Sequence, residues 1–357
     1  MKLLGIEAAR GFAALLVVTV HTTSMLSGAA YLGDPAFGGL FAFGHAGVDF
    51  FFVLSGFIIA FIHASDVGRP DRLAGYARKR VVRIYPTYWA ALALMGALLV
   101  VSPTAERTEQ QLGTVLSSIF LLPWPTQPIL QVSWSLVHEM MFYLLFGLLL
   151  LNRRLGVAAL AVWGLITLWN IIVTWTTGAP QFSGLLNSLV FRIFNIEFFF
   201  GMAVAVAIRG RWIHRPRVMI VAGLALFLGV GLYESFGPAY PVEWPPRHLG
   251  YATGAALTLY GLAGAEVAGR LRTPRAFVAL GAASYSIYLT HVIILLFVRQ
   301  GALIVQPYLH LPPEVWFLAG ASLAIGSGLV FHRLIEQPLL HRLNRGRPRT
   351  TPAEAIP

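Results

Sequence analysis

Ten stretches of about 20 mainly apolar residues follow one another along this chain and constrain its fold more than any other feature. A helix of about 20 apolar residues is long enough to cross the hydrocarbon core of a bilayer. Charged residues make up only 11% of the chain, against about 25% in soluble domains. The sequence therefore predicts an all-α, polytopic transmembrane helix bundle with about ten spans. They are placed at 5–26, 40–63, 84–102, 132–151, 155–176, 184–208, 216–235, 249–268, 278–299 and 314–337.

The formal net charge of +11 reflects membrane topology rather than a nucleic-acid partner. If the N-terminus is cytoplasmic, most of the 26 Lys and Arg residues fall in inner segments, and the outer segments hold only Arg107, Arg247 and Arg299. Basic residues accumulate in cytoplasmic loops, so both termini are expected in the cytoplasm. We expect one transmembrane domain over residues 1–340 and a basic, disordered cytoplasmic tail over 341–357.

Arg10 and His21 bracket ten uncharged residues of the first predicted span. Eleven steps of about 100° bring the two side chains to within about 20° of one helix face, roughly 16 Å apart along the axis. That face is expected to present a cation near one membrane surface and an imidazole in the opposite leaflet. Because ionisable groups are costly in hydrocarbon, the pair indicates a polar site inside the bundle.

Further polar side chains occur at the same predicted depth as His21. His45 and Asp49 are four residues apart in the second span, where they either line a pocket or hold each other in a structural pair. Glu139 lies a few residues into the fourth span, and a histidine such as His21 or His45 is its expected partner. In the ninth span, one helix face carries Ser284, Tyr288 and His291.

The predicted inner surface carries a dense basic segment that ends at the third span. Arg80 and Arg83 are one helical turn apart, so their side chains can converge on one anion. The alternative is a topology signal and lipid anchor, with Tyr85 as an interface aromatic. Taken alone, this segment favours the lipid anchor.

An acid–base cluster on one side and arginines on the other suit a group transfer from an anionic donor. Imidazole titrates near neutral pH and can deprotonate a sugar hydroxyl as it attacks a thioester. The chain has no cysteine, which excludes thiolate catalysis. Two other possibilities stay open: a transporter or flippase that uses the same residues as a proton and substrate path, and a metal site built from His21, His45, Asp49 and Glu139.

The chain resembles the acyltransferase-3 family of integral membrane O-acyltransferases over essentially its whole length. Six motifs in the same order carry the resemblance, and together they are specific. They are Arg10 to His21, Gly47-Val48-Asp49-Phe50-Phe51 running on to Phe57, Arg80-Val81-Val82-Arg83 with Ile84-Tyr85-Pro86, Ser133-Trp134-Ser135 with Glu139, Tyr285-Ser286-Ile287-Tyr288-Leu289 with His291, and Ile335-Glu336-Gln337-Pro338.

This resemblance implies a multi-pass enzyme of the bacterial inner (cytoplasmic) membrane. It would move an acetyl or similar acyl group from cytoplasmic acyl-CoA to a hydroxyl of a surface or exported polysaccharide. Its expected partners are acyl-CoA as a co-substrate, a glycan or lipid-linked glycan acceptor, and membrane lipid. We expect no permanently bound cofactor, no metal and no nucleic acid, and homo-oligomerisation is left open.

The motifs also imply roles for individual residues. His21 is expected to be the general base, with Glu139 as the carboxylate that orients it. Donor binding is expected from Arg10, Arg80, Arg83 and Tyr85. The acceptor or pocket residues are expected to be His45, Asp49, Trp134, Ser284, Tyr288 and His291.

Overall fold

A computed structural model describes residues 3–28, 33–101, 111–238 and 244–345 of the chain. These ranges contain no β-strand, and their regular structure is helical. Because long apolar segments must satisfy their backbone groups internally, helices are the expected outcome. The helices are α1 (Leu4–Leu26), α2 (Ala46–His63), α3 (Leu73–Val101), α4 (Leu112–Phe120), α5 (Trp134–Leu151), α6 (Arg153–Thr177), α7 (Asn195–Arg209), α8 (Pro216–Phe236), α9 (Pro245–Val267), α10 (Arg275–Leu309), α11 (Pro313–Phe331) and α12 (Gln337–Asn344).

Nine helical segments within the described ranges are long and apolar enough to cross a membrane. The remaining predicted span, 249–268, corresponds to α9, whose 23 residues extend for about 34 Å. Helix α9 falls outside the set of nine because its sequence is more polar, with Arg247 and His248 in its first turn. The predicted all-α polytopic bundle is confirmed. The cytoplasmic location of the termini stays a prediction.

The predicted boundary between the membrane domain and the tail lies within a helix. The last predicted span ends at residue 337, but the helix continues past it. Pro338 occupies the first turn of α12, where the N–H that proline lacks has no helical acceptor in any case. A π-helical turn at His332–Glu336 joins α11 to α12, and the chain stays helical to Asn344. The first residues of the predicted tail are therefore helical. Residues 346–357 lie outside the described ranges.

Small residues allow the helices that carry the polar side chains to pack closely. A Cβ atom built on Gly201 of α7 would lie 1.9 Å from the carbonyl oxygen of Val53 in α2. On the same interface, a Cβ on Gly56 would lie 2.1 Å from the carbonyl oxygen of Phe198. Helices α1 and α10 meet in the same way, because a Cβ on Gly281 would lie 1.8 Å from the carbonyl oxygen of Glu7. Contacts of this kind are characteristic of helix pairs in membranes.

The two ends of the bundle carry different polar residues along α1. Arg10 lies toward the end where α1 begins at Leu4, and we call this end the basic side. His21 lies toward the other end, where α1 finishes at Leu26. The first helix therefore connects a cationic region to an imidazole across the bundle.

We expect Gly201→Ala to destabilise the protein, because the added methyl group overlaps backbone atoms of α2 that cannot rotate away. Overpacking of this kind costs about 1–3 kcal/mol. The measurement is the melting temperature of the purified protein in detergent. Gly229→Ala in α8 is the matched control, since a Cβ there meets no atom within 4 Å. Equal melting temperatures for the two variants would contradict the prediction.

Candidate active site

A cavity of about 400 Å³ lies between α1, α2, α3, α5 and α10. Most of its wall is apolar, with Val48, Phe51, Leu54 and Ile58 as examples. Its charged lining residues are four cations and one carboxylate, and its hydroxyl groups come from serines and tyrosines. These polar lining residues are Arg10, Lys79, Arg80, Arg83, Glu139, Ser55, Ser135, Tyr143, Ser284, Tyr285 and Tyr288.

The cations of the cavity are held in different ways. The Arg80 guanidinium lies 5.9 Å from the ring centre of Tyr76 and 5.7 Å from that of Tyr143. Arg83 lies 5.4 Å from the ring centre of Tyr285, and its Nη1 donates to Glu336 Oε1 at 2.7 Å. Cation–π contacts stabilise a guanidinium without neutralising it. With four cations against Glu139 in its wall, the cavity is suited to an anionic ligand.

Glu139 lies in this cavity rather than beside a histidine. Its Oε1 accepts hydrogen bonds from Ser55 Oγ at 2.8 Å and from Tyr143 OH at 2.5 Å. Among the described residues, neither His21 nor His45 hydrogen-bonds to it. The structure thus gives Glu139 two hydroxyl partners in place of the histidine expected from sequence, because it faces Ser55 of α2 and Tyr143 of its own helix.

His21 and His291 form a pair between α1 and α10. Their rings lie 4.9 Å apart, and His291 Nε2 lies 3.2 Å from His21 Nδ1. Each Nδ1 also contacts the carbonyl oxygen four residues earlier, Val17 at 2.9 Å and Ile287 at 3.1 Å. A carbonyl oxygen only accepts, so each neutral imidazole carries its proton on Nδ1.

This tautomer determines what His21 can do. Its Nδ1–H is shared between the Val17 carbonyl and the lone pair of His291 Nε2. Its Nε2 is left with a lone pair and no hydrogen-bond partner among the described residues. A half-buried imidazole in this state can accept a proton from a hydroxyl group.

Tyr288 lies between the cavity and the histidine pair. Its ring lines the cavity and lies 6.0 Å from the ring of His291. Its hydroxyl donates to the Val132 carbonyl at 2.8 Å and lies 2.7 Å from Ser135 Oγ. The cavity therefore extends from the arginines on the basic side to Tyr288, whose ring lies beside that of His291.

Asp49 belongs to a separate buried cluster with residues of α7 and α9. His248 Nδ1 donates to Asp49 Oδ1 at 2.7 Å and lies 3.7 Å from Glu197 Oε1. All three side chains are fully buried. His45 lies at the edge of the cluster, 4.0 Å from Asp49, and donates to Glu234 Oε1 at 2.6 Å.

Asp49, Glu197 and His248 place possible metal-ligand atoms within 4.8 Å of one another. However, Arg247 Nη2 lies 3.1 Å from His248 Nε2 and can only donate to it. The proton of a neutral His248 is therefore on Nδ1, where it is bonded to Asp49 and leaves no lone pair for a metal. The metal set considered from sequence is not assembled either, because His21, Glu139 and the pair His45–Asp49 lie in three different places.

The remaining predicted residues are divided between the cavity and its surroundings. Ser284 lines the cavity with a buried hydroxyl that has no hydrogen-bond partner among the described residues. Tyr85 instead donates to the Phe120 carbonyl of α4 at 2.9 Å. Trp134 packs against Phe194 and the Arg192 guanidinium. Neither aromatic residue lines the cavity.

Sequence reasoning did not identify several residues of these sites. Ser55, Tyr143, Tyr285 and Lys79 line the cavity. Glu197 and His248 complete the Asp49 cluster. Glu197 carried a usable signal, since it lies within the predicted span 184–208, and ionisable residues within spans are rare and pair with one another. His248 lies just before the predicted span 249–268 and carried no such signal.

A family model for the acyltransferase domain of the acyltransferase-3 family matches residues 3–333. The exopolysaccharide production protein ExoZ of Rhizobium meliloti (strain 1021) is 30% identical over 330 residues, covering 88% of this chain and 94% of that protein. Acyltransferase MdmB of Streptomyces mycarofaciens is 27% identical over an alignment of 383 residues, covering 98% of this chain and 95% of that protein. No solved structure matches the chain.

We expect Asp49→Ala to destabilise the protein strongly, because it leaves the buried N–H of His248 without its acceptor. Leaving a buried donor without its acceptor costs about 1–3 kcal/mol. The readout is the melting temperature in detergent, with Asp34→Ala in an exposed loop as the control. If Asp49→Ala lowers the melting temperature no more than Asp34→Ala does, Asp49 does not hold the cluster together.

Proposed function

The chain belongs to the acyltransferase-3 family and is a membrane acyltransferase, and from this premise we propose that it transfers an acetyl or similar acyl group from cytoplasmic acyl-CoA to a hydroxyl of a surface or exported polysaccharide. The acceptor is a glycan or a lipid-linked glycan, and the exopolysaccharide role in the name of ExoZ supports this class. Acyl-CoA acts as a co-substrate, with no resident cofactor. The enzyme lies in the bacterial inner membrane. Family membership favours this enzyme over a transporter.

The layout of the cavity is the observation that most supports acyl-CoA as the donor. The cavity carries Arg10, Lys79, Arg80 and Arg83 and then continues between apolar walls to Tyr288, beside the histidine pair. Phosphate groups of CoA would bind the cations by charge-assisted hydrogen bonds. The uncharged pantetheine arm would follow the apolar walls and bring the thioester toward His21.

In this proposal His21 is the general base. Its Nε2 accepts the proton of the acceptor hydroxyl while the hydroxyl oxygen attacks the thioester carbonyl carbon. The carbon–sulfur bond then breaks, the acyl group stays on the acceptor oxygen, and the CoA thiolate takes up a proton. His291 keeps His21 in the required tautomer. Glu139 bonds Ser55 and Tyr143 in the donor cavity, so in this proposal it does not orient His21.

We expect acetyl-CoA to raise the melting temperature of the wild type and to raise it much less in Arg80→Gln. A ligand that binds only the folded state stabilises it by about 2.7 kcal/mol at a hundredfold excess over its Kd. Arg80 suits this test because no carboxylate among the described residues pairs with it. The control is Arg154→Gln, an exposed arginine on the basic side. Equal shifts in both variants would remove Arg80 from the donor site, and no shift in the wild type would argue against acyl-CoA as donor.

We expect His21→Ala to retain the acetyl-CoA shift and to lose transfer activity by about 10²–10⁴-fold, the usual contribution of a general base. Activity is measured as CoA release in the presence of acceptor glycan. His214→Ala, at an exposed position, controls for loss of a histidine. Turnover by His21→Ala at the control rate would reject His21 as the base.

A further inference from the structure

Glu336 is a fully buried carboxylate at the junction of α11 and α12. Three side chains donate hydrogen bonds to it, each at 2.7 Å. Arg83 Nη1 donates to Oε1, and both Ser286 Oγ and His332 Nδ1 donate to Oε2. A buried carboxylate is costly unless it is paired and hydrogen-bonded, and Glu336 satisfies both conditions.

The π-helical turn at His332–Glu336 builds this site. Turns of this kind are rare in proteins, and those that occur are often found at functional sites. Gln337 Nε2, an amide donor, lies 3.0 Å from His332 Nε2, so a neutral His332 carries its proton on Nδ1 and donates it to Glu336. Arg83 is the only arginine or lysine that forms an ion pair with Glu336 among the described residues.

The contacts of Arg83 fix the orientation of its guanidinium but leave two of its nitrogen atoms able to donate hydrogen bonds to a ligand. Its guanidinium lies over the Tyr285 ring, and Nη1 is bonded to Glu336. Its Nε and Nη2 donors have no hydrogen-bond partner among the described residues. The side chain is 32% exposed and lines the cavity. Arg80 differs from Arg83, since it contacts two aromatic rings and forms no ion pair with a carboxylate among the described residues.

We propose that Glu336 is a positioning residue, which holds Arg83 so that its remaining donors bind a phosphate-class anionic group of the donor. This inference rests on the proposed function, since it assumes that the cavity takes an anionic acyl donor. A guanidinium fixed in advance loses less conformational entropy on binding, which offsets the partial neutralisation by Glu336.

The first test is Glu336→Gln, which keeps the size of the side chain and removes its charge. We expect the KM for acetyl-CoA to rise about tenfold, with kcat at saturating donor and the KM for the acceptor within about twofold of wild type. Glu266→Gln is the matched control, because Glu266 also lies on the basic side but bonds the backbone of Leu4 and Gly5. An unchanged or lower donor KM in Glu336→Gln would overturn the inference.

A double-mutant cycle separates positioning from a general role in folding. If Glu336 acts through Arg83, the donor KM of the Arg83→Gln, Glu336→Gln double variant equals that of Arg83→Gln. Additive effects would overturn the inference. If Glu336→Gln is not recovered folded, Ser286→Ala keeps the carboxylate and removes one of its three donors. Its donor KM is expected to rise by about threefold, and no rise would count against positioning.

The wild type and Arg83→Gln distinguish this inference from the proposed function. If the wild type shows no acetyl-CoA binding, both fail. If the wild type binds, Arg83→Gln weakens binding and Glu336→Gln does not, only the positioning role of Glu336 fails.

Discussion

The cost of burying charge governs this structure. In a bundle that sits in hydrocarbon, an ionised side chain needs partners from neighbouring helices, because water is not available to solvate it. Glu336 therefore joins α3 and α10 to the α11–α12 junction through Arg83 and Ser286. Asp49 joins α2 to α9 through His248 in the same way. Polar side chains that look like isolated anomalies in the sequence are the connections that fix helix positions.

The same constraint explains why the cavity can hold an unneutralised charge. Arg80 is stabilised by two aromatic rings that leave its charge in place, whereas Arg83 has one carboxylate partner, Glu336. A site that binds an anion in a low-dielectric interior needs cations that are held without being fully neutralised. Tyr76 on α3, Tyr143 on α5 and Tyr285 on α10 supply that support.

The sequence predicted the fold class and much of the cavity, and it failed where neighbouring helices decide the outcome. Spacing along α1 and α3 placed Arg10, Arg80 and Arg83 on one side, and the structure brings them into one cavity. The expected partner of Glu139 was wrong, because depth in the membrane can be read from sequence but the direction in which a helix faces depends on its neighbours. For the same reason the Asp49 partners on α7 and α9 were missed, although their residue types were visible.

The backbone of α1 sets the tautomer of His21, and the packing of α10 against α1 brings His291 to it. Gly281 lets α10 approach α1 closely on the basic side, and the two helices are still in contact further along, where His291 meets His21. Each imidazole donates to a carbonyl of its own helix, so the direction of both rings follows from the backbone. Arg10 is on the same helix as His21, with the separation fixed by the rise of α1. In the proposed mechanism, α1 therefore fixes the distance between one donor-binding cation and the general base. A donor of different length would have to be accommodated by the cavity wall, because His21 cannot move along its helix.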